Sequence, residues 1–238
     1  MPEEYEGDLD GAVFWGATLR GARFRDVDLT GARISHSFVV DVEIDAMVDR
    51  LVVNGVDVTG FVNERDPWYP LRTMLHTGSP SAMPATWEAL EAAWATTIER
   101  ALAMGEEAMA ESVDGEWSFV QTVRHVVFAT DKWFTVPIDG GTFDPMGLPN
   151  IGSVGFPWPG LDRDAAPTAA EALAVRADRA ERFRRHLASI TDTDLERDVE
   201  VLENGTESLL TCTHAVFEEA FWHNRYAARD LDAIAADR

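Results

Sequence analysis

Cysteine is almost missing: the 238-residue chain holds one, Cys212. A single thiol cannot close a disulfide within the chain, and its scarcity fits a reducing compartment. Also lacking is any uninterrupted run of about 18 to 20 apolar residues, the length a membrane-spanning helix needs. The first residues, MPEEYEGDLDG, are acidic and have no apolar segment of the kind a secretory leader carries. Basic charge is scarce too, since 20 Lys and Arg against 42 Asp and Glu leave a formal net charge of −22. Phosphate backbones and anionic lipid surfaces are gripped by Lys and Arg, so neither nucleic acid nor membrane is an expected partner. A cytoplasmic protein is the expectation. What remains is a globular composition, 46% hydrophobic and 26% charged with eight Trp and twelve Phe, sufficient for one large or two modest domains.

Residues 9 to 44 beat with a period of five. Leu9, Phe14, Leu19, Phe24, Leu29, Ile34, Val39 and Ile44 mark it, and Ala12, Ala17, Ala22, Val27 and Ala32 precede it by two. Five matches neither the strand period of two nor the helical 3.6, so neither element gathers these residues on one face. A square coil with one pentapeptide per side does gather them, stacking large and small residues in separate columns. The stretch DLDGAVFWGATLRGARFRDVDLTGARI resembles the pentapeptide-repeat family, which implies a short right-handed quadrilateral β-helix. Eight repeats make only about two coils, so support from elsewhere in the chain or from a second subunit is expected. Such a segment serves either as a docking surface or as a structural appendage.

The next segments alternate between turns and helices. LVV and VDV flank Asn54-Gly55, a two-residue turn signal, so residues 48–66 are expected to form a hairpin. Pro67, Pro70, Gly78, Pro80 and Pro84 make 67–83 a linker, which sets domains at 1–66 and 84–238. From Pro84, apolar residues return at spacings of three and four (Trp87, Leu90, Trp94, Ile98, Leu102), predicting a helix that Gly115 breaks. A second helix, apolar almost all round, is expected over Glu116 to Phe134. On it His125 shares a face with Ser118, Thr122, Ala129 and Trp133, small residues that suit a wall open to a ligand or plain exposure. Residues 135–166 are rich in Gly and Pro and include Phe143, Phe156 and Trp158; a loop so long is functional or poorly ordered. Thr168 with Glu171 three positions later caps a third helix to about Ala188. Its Arg176, Arg179, Arg182, Arg184 and Arg185 form a basic island that ordinary pairing with nearby acids explains. A second hairpin is expected around Asn204-Gly205 within 197–210.

The last helix, HAVFEEAFWHNRYAARDLD, has ionisable groups where a core should be. Advancing about 100° per residue gathers Val216, Phe217, Ala220, Ala227, Leu231 and Ile234 on one stripe, and His214, Glu218, Arg225, Arg229 and Asp232 on a solvent face. Glu219 and His223 fall toward the core side, one turn apart, with Tyr226 and Asp230 continuing the strip. A carboxylate and an imidazole turned inward need partners. Either they ligate a divalent metal or they hydrogen-bond each other. With His125 they form a set of two imidazoles and one carboxylate, which leaves positions open on a borderline or hard divalent ion.

GEWSFVQTVRHVVFATDKWF together with HAVFEEAFWHNRYAARDLD resembles the DinB-like superfamily, which includes bacillithiol and mycothiol S-transferases. The resemblance spans residues 84–236 and implies a mainly α fold, a four-helix bundle. Its usual metal site takes one His from the second helix and two His four apart on the fourth. Mapped onto this chain, His125 and His223 match, while Glu219 stands where the other His would be. That departure matches the His, Glu, His variant of mycothiol-dependent maleylpyruvate isomerase. The implied cofactor is a divalent metal, zinc first with nickel as another candidate, and the implied cosubstrate is a low-molecular-weight thiol such as mycothiol. The implied activity is a thiol transfer or a thiol-dependent isomerisation on an electrophilic small molecule. Tyr226 and Asp230 are candidates to orient the ligands, and Trp133, Phe156 and Trp158 to line the mouth. Cys212 has no His one helical turn away and is a weak nucleophile candidate; His36, His76 and His186 show no partner pattern. Two other readings stay open, a non-catalytic docking protein and a hydrolase using metal-bound hydroxide. A homodimer is the expected assembly.

Overall fold

The structure is a computed structural model that describes residues 7–24, 27–150 and 156–238. Residues 25–26 of the five-residue repeat and 151–155 of the long loop therefore lie outside the described residues. The chain divides into two compact units, Met1–Val48 and Asp49–Arg238.

In the first unit the five-residue period reappears in the backbone. Gly11, Gly16, Gly21, Gly31, His36 and Asp41 all hold φ between 53° and 77°. A left-handed residue at each described fifth position turns the chain by a similar amount each time, and Gly adopts that conformation without steric cost. Turn hydrogen bonds recur every ten residues, from Ala12, Ala22 and Ala32 amides to the Leu9, Leu19 and Leu29 carbonyls. Regular strands are absent among the described residues of this unit.

The second unit is mainly helical. It begins with a small antiparallel pair, β1 (Val52–Val53) and β2 (Val56–Asp57), closed by Asn54 and Gly55 at φ 51° and 83°. The expected hairpin stops there: Thr59–Arg65 forms α1, its first amide taken by the Asp57 side chain. The passage 67–83, read above as a linker, is packed instead. It holds the one-turn α2 (Tyr69–Arg72) and buries Leu75 completely.

Four long helices follow. The first, α3 (Met83–Met104), ends at Gly105 with φ 92° and not at Gly115; that left-handed glycine turns the chain into the short α4 (Glu106–Ala110). The second, α5 (Phe119–Thr130), starts where Ser118 and Gln121 close a reciprocal capping box, and it runs into a π-helical turn at Asp131–Thr135. The Thr168–Glu171 capping box starts α6 (Ala169–Leu187) as expected. A second pair, β3 (Asp198–Val201) and β4 (Gly205–Ser208), leads into α7 (Leu209–Ala236). Its turn starts two residues earlier than the Asn-Gly signal implies and is one residue longer: Val201 pairs with Gly205, so Leu202–Asn204 make the reversal. No described helix is long and apolar enough to cross a membrane.

The core lies where α5 packs on α6 and α7 and α3 packs on α7 and α6. Trp87, Leu90 and Trp94 of α3, Val123 and Val126 of α5, Phe183 of α6 and Phe217, Phe221 and Leu231 of α7 belong to one buried cluster. Indole nitrogens do not go unsatisfied there: Trp87 donates to the Ala180 carbonyl and Trp94 to that of Ala220. The apolar stripe predicted for α7 is buried throughout, which turns Glu219 and His223 toward α5. The face shared by Ser118, Thr122, His125 and Ala129 is buried as well, which removes plain exposure as its explanation.

Candidate metal centre

His125 enters the site from α5 and is 2% exposed. Its orientation comes from a loop segment laid along the helix. Arg124 Nε donates to the Met146 carbonyl at 2.7 Å, the Leu148 amide donates to the Arg124 carbonyl at 3.2 Å, and His125 Nδ1 lies 2.8 Å from the Leu148 carbonyl. A carbonyl only accepts, so Nδ1 donates to it and Nε2 is the nitrogen turned toward α7. Gly147 lets this strap lie close, since a Cβ there would meet Leu161 Cδ2 at 3.0 Å and Phe128 Cβ at 3.3 Å.

Glu219 and His223 come from α7, stacked one turn apart as the helical spacing requires. His125 Nε2 is 3.4 Å from Glu219 Oε2, and His223 Nδ1 is 3.2 Å from the same oxygen. His223 Nδ1 also lies 2.9 Å from the Glu219 backbone carbonyl. The two imidazole rings stand 4.5 Å apart. Burial pushes the Glu219 carboxyl up, but the hydrogen bond from His125 and the charges of His223, His125 and Lys132 outweigh it and leave it below its ordinary value. Glu219 is therefore an anion at neutral pH.

These three residues offer one ligand atom each, all within 4.8 Å of one another. Ligand atoms held at about 2.1 Å around a tetrahedral ion stand about 3.4 Å apart. The separations at Glu219 Oε2 match that spacing. The donor set also fits: two imidazole nitrogens and a carboxylate suit a borderline divalent ion and leave it a position for a further ligand.

Residues 89–227 match the DinB superfamily, and residues 8–41 match eight copies of the pentapeptide repeat. The chain belongs to the DinB superfamily. Among curated proteins nothing matches the chain, and no solved structure does. Within the DinB domain the three grouped residues are thus those the sequence singles out, one from α5 and two from α7.

The other sequence candidates are placed differently. Tyr226 packs its ring edge 6.0 Å from His223 and stacks on Trp222. Asp230 accepts from Arg229 Nε at 2.8 Å, and Arg229 also holds Glu116. Phe156 and Trp158 pack with Phe128 and Phe143 in an aromatic cluster one turn beyond His125. Trp133 lies against the main core and against the small cluster around Cys212. Burial pushes the Cys212 thiol up to about 11, with the Glu207 charge adding to it, so this sulfur is inert at neutral pH. The basic island of α6 is paired: Arg176 with Glu91, Arg179 with Asp131, Arg182 with Asp139, Arg184 and Arg185 with Glu181.

Sequence reasoning missed Trp117. Its ring lies 4.6 Å from His125 and 6.2 Å from His223, covering both imidazoles. A large apolar residue just before a Ser cap was the available signal, since that position commonly packs back on the helix.

Proposed function

We propose that this protein is a metal-dependent enzyme that uses a low-molecular-weight thiol as nucleophile on an electrophilic small molecule, as a thiol transferase or thiol-dependent isomerase. One observation carries the reading. The Leu148 carbonyl engages His125 Nδ1, which turns Nε2 toward Glu219 Oε2 at 3.4 Å, and with His223 the three residues offer ligand atoms all within 4.8 Å of one another. A divalent cation would take the place of the imidazole protons that face this carboxylate. Bound there, a divalent ion (zinc first, nickel as another candidate) would supply the positive charge that keeps a thiol sulfur deprotonated near neutral pH.

The chain's own residues do the rest. His125, Glu219 and His223 would hold the ion. The Leu148 carbonyl holds His125 in the ligating tautomer, and Trp117 shields the imidazole faces from water. Tyr226 packs against the edge of His223 and fixes its ring. In a transfer, the new carbon–sulfur bond replaces the bond to a leaving group, which departs with its electron pair. In an isomerisation, the thiolate adds to one end of a double bond and leaves after rotation, regenerating the thiolate.

The same reading extends to the architecture. The four long helices are proposed as the four-helix bundle of the superfamily, and the left-handed residue at each described fifth position supports a quadrilateral coil in the first unit.

Metal quantification of the purified protein is the test. The expected result is about one divalent ion per chain, lost in His125→Ala and His223→Ala while both variants stay folded. Zinc should raise the unfolding midpoint of the wild type only; at a hundred times its dissociation constant the gain is about 2.7 kcal/mol. A folded wild type without affinity for zinc or nickel would end the proposal. With metal in place, conjugation of a thiol to monochlorobimane separates thiol transfer from hydrolysis.

A further inference from the structure

Of the 20 basic residues in the chain, 19 are arginine; Lys132 is the only lysine. It stands seven residues after His125, on the same side of the helix and about 10 Å further along its axis. Helical side chains lean back toward the N-terminus, which directs this one toward the triad. The residue belongs to the π-helical turn at Asp131–Thr135, an irregularity that recurs at functional sites. Its ammonium lies 5.0 Å from the Trp133 ring and 5.6 Å from the Trp158 ring, and it donates to Glu203 Oε1 at 2.7 Å. Glu203 arrives from the turn between β3 and β4, next to Leu202, which is held at φ 34°. A branched residue in that conformation is strained, so the turn delivers its carboxylate at a cost.

We propose that Lys132, between Trp133 and Trp158, binds a carboxylate on the small molecule handled beside the triad, and that Glu203 is the resident counter-ion this carboxylate displaces. The proposal takes the triad as the working site from the reading above. Three lines of chemistry favour it. In a protein of net charge −22 an anion is repelled overall, so binding one needs a local cation. The indoles hold the ammonium through their faces and leave its protons directed at an oxygen. An arginine would grip Glu203 with two parallel hydrogen bonds, whereas the single contact of a lysine exchanges one carboxylate for another more readily.

The carboxylate belongs either to the thiol or to the electrophile, and four probes separate these. The acids are 3-mercaptopropionate and succinate; their neutral counterparts are 2-mercaptoethanol and dimethyl succinate. Binding to the full-length zinc-supplied protein is read by tryptophan fluorescence, since two indoles flank the site. It is read independently by acetylation of the lone lysine with an N-hydroxysuccinimide ester, mapped by peptide mass spectrometry. The expected result is that an acid slows acetylation of Lys132 and binds about tenfold more tightly than its neutral counterpart, the scale of one charge-assisted hydrogen bond. Lys132→Met should erase that preference, and Glu203→Gln should enlarge it. Protection by succinate assigns the carboxylate to the electrophile; protection by 3-mercaptopropionate alone assigns it to the thiol. Protection by succinate without zinc binding at the triad keeps the carboxylate site and removes the metal reading. The proposal is overturned if acids and neutral counterparts behave alike in the wild type, or if Lys132→Met keeps the preference.

Discussion

At the start of the π-helical turn that continues α5, a buried carboxylate, Asp131, meets the guanidinium of Arg179 from α6, with Nε to Oδ1 at 2.6 Å. Six residues earlier, on α5 itself, His125 meets a carboxylate and a second imidazole from α7. Both clusters tie α5 to a neighbouring helix, and both place an acid among apolar residues. They differ in how the charge is answered. At Asp131 the partner is a permanent cation, and the remaining oxygen takes the Asp144 amide at 2.7 Å, so the cluster is complete within the chain. At Glu219 the partners are imidazoles whose charge depends on a proton or a metal. A closed ion pair is a structural device, whereas an acid answered only by imidazoles is open to a ligand.

The two clusters are connected. Asp131 holds Asp144, whose side chain takes the Met146 amide at 3.1 Å, and Met146 to Leu148 is the strap that orients His125. The closed pair thus anchors the segment that prepares the open one.

Breaking the closed pair should have the largest effect. Asp131→Ala leaves Arg179 half-sequestered without its main partner and should cost about 3 to 5 kcal/mol of stability in chemical denaturation. A cost under about 1 kcal/mol would show that the pair is not structural. Replacing both partners by apolar residues of similar volume should cost less than the single change, because no unpaired charge is left.

An intermediate effect is expected at the strap. Gly147→Ala presses a methyl against Leu161 and Phe128, an overpacking worth about 1 to 3 kcal/mol. Zinc affinity, measured by calorimetric titration, should fall with it, because the Leu148 carbonyl moves off His125. Unchanged affinity in a destabilised variant would separate the strap from the site.

The smallest effect is a pH dependence of opposite sign to the usual acid behaviour. Burial raises the Asp131 carboxyl above its ordinary value, although Arg179 and the Asp144 amide pull it back. The folded state therefore holds this proton more tightly than the unfolded chain. The contribution of Asp131 is fully present below the unfolded value near 3.9 and is lost as pH rises through the folded one. Metal-free wild type compared with Asp131→Asn should lose relative stability over that window as pH increases. A relative gain would mean that Arg179 dominates and the carboxyl is depressed.

Much of this site was legible before any coordinates. The spacing of Val216, Phe217, Ala220 and Leu231 orients α7 and thereby turns Glu219 and His223 inward, because one helical period governs all of them. The Thr168–Glu171 box marked the start of α6 because it is a local exchange of hydrogen bonds. Other readings failed where local signals compete. Gly115 and Gly105 both break helices, and which one does so first depends on packing. Pro-rich 67–83 looked like a linker, yet Leu75 is buried against the core. Lys132 and the Leu148 carbonyl carried no pattern that pointed to His125, and the position of Trp117 before the Ser118 cap signalled only packing on the helix.

Period and composition by themselves determined the helical character of the second unit, the five-residue rhythm of the first and the identity of the three facing residues, because those depend on neighbours a few positions apart. Tertiary structure alone decided that His125 Nε2 stands 3.4 Å from Glu219 Oε2, which indole covers it and which loop carbonyl takes its other proton. Those contacts join residues 8 to 94 positions apart, and only the packing of α5 and its strap against α7 brings the more distant of them within reach of one ion.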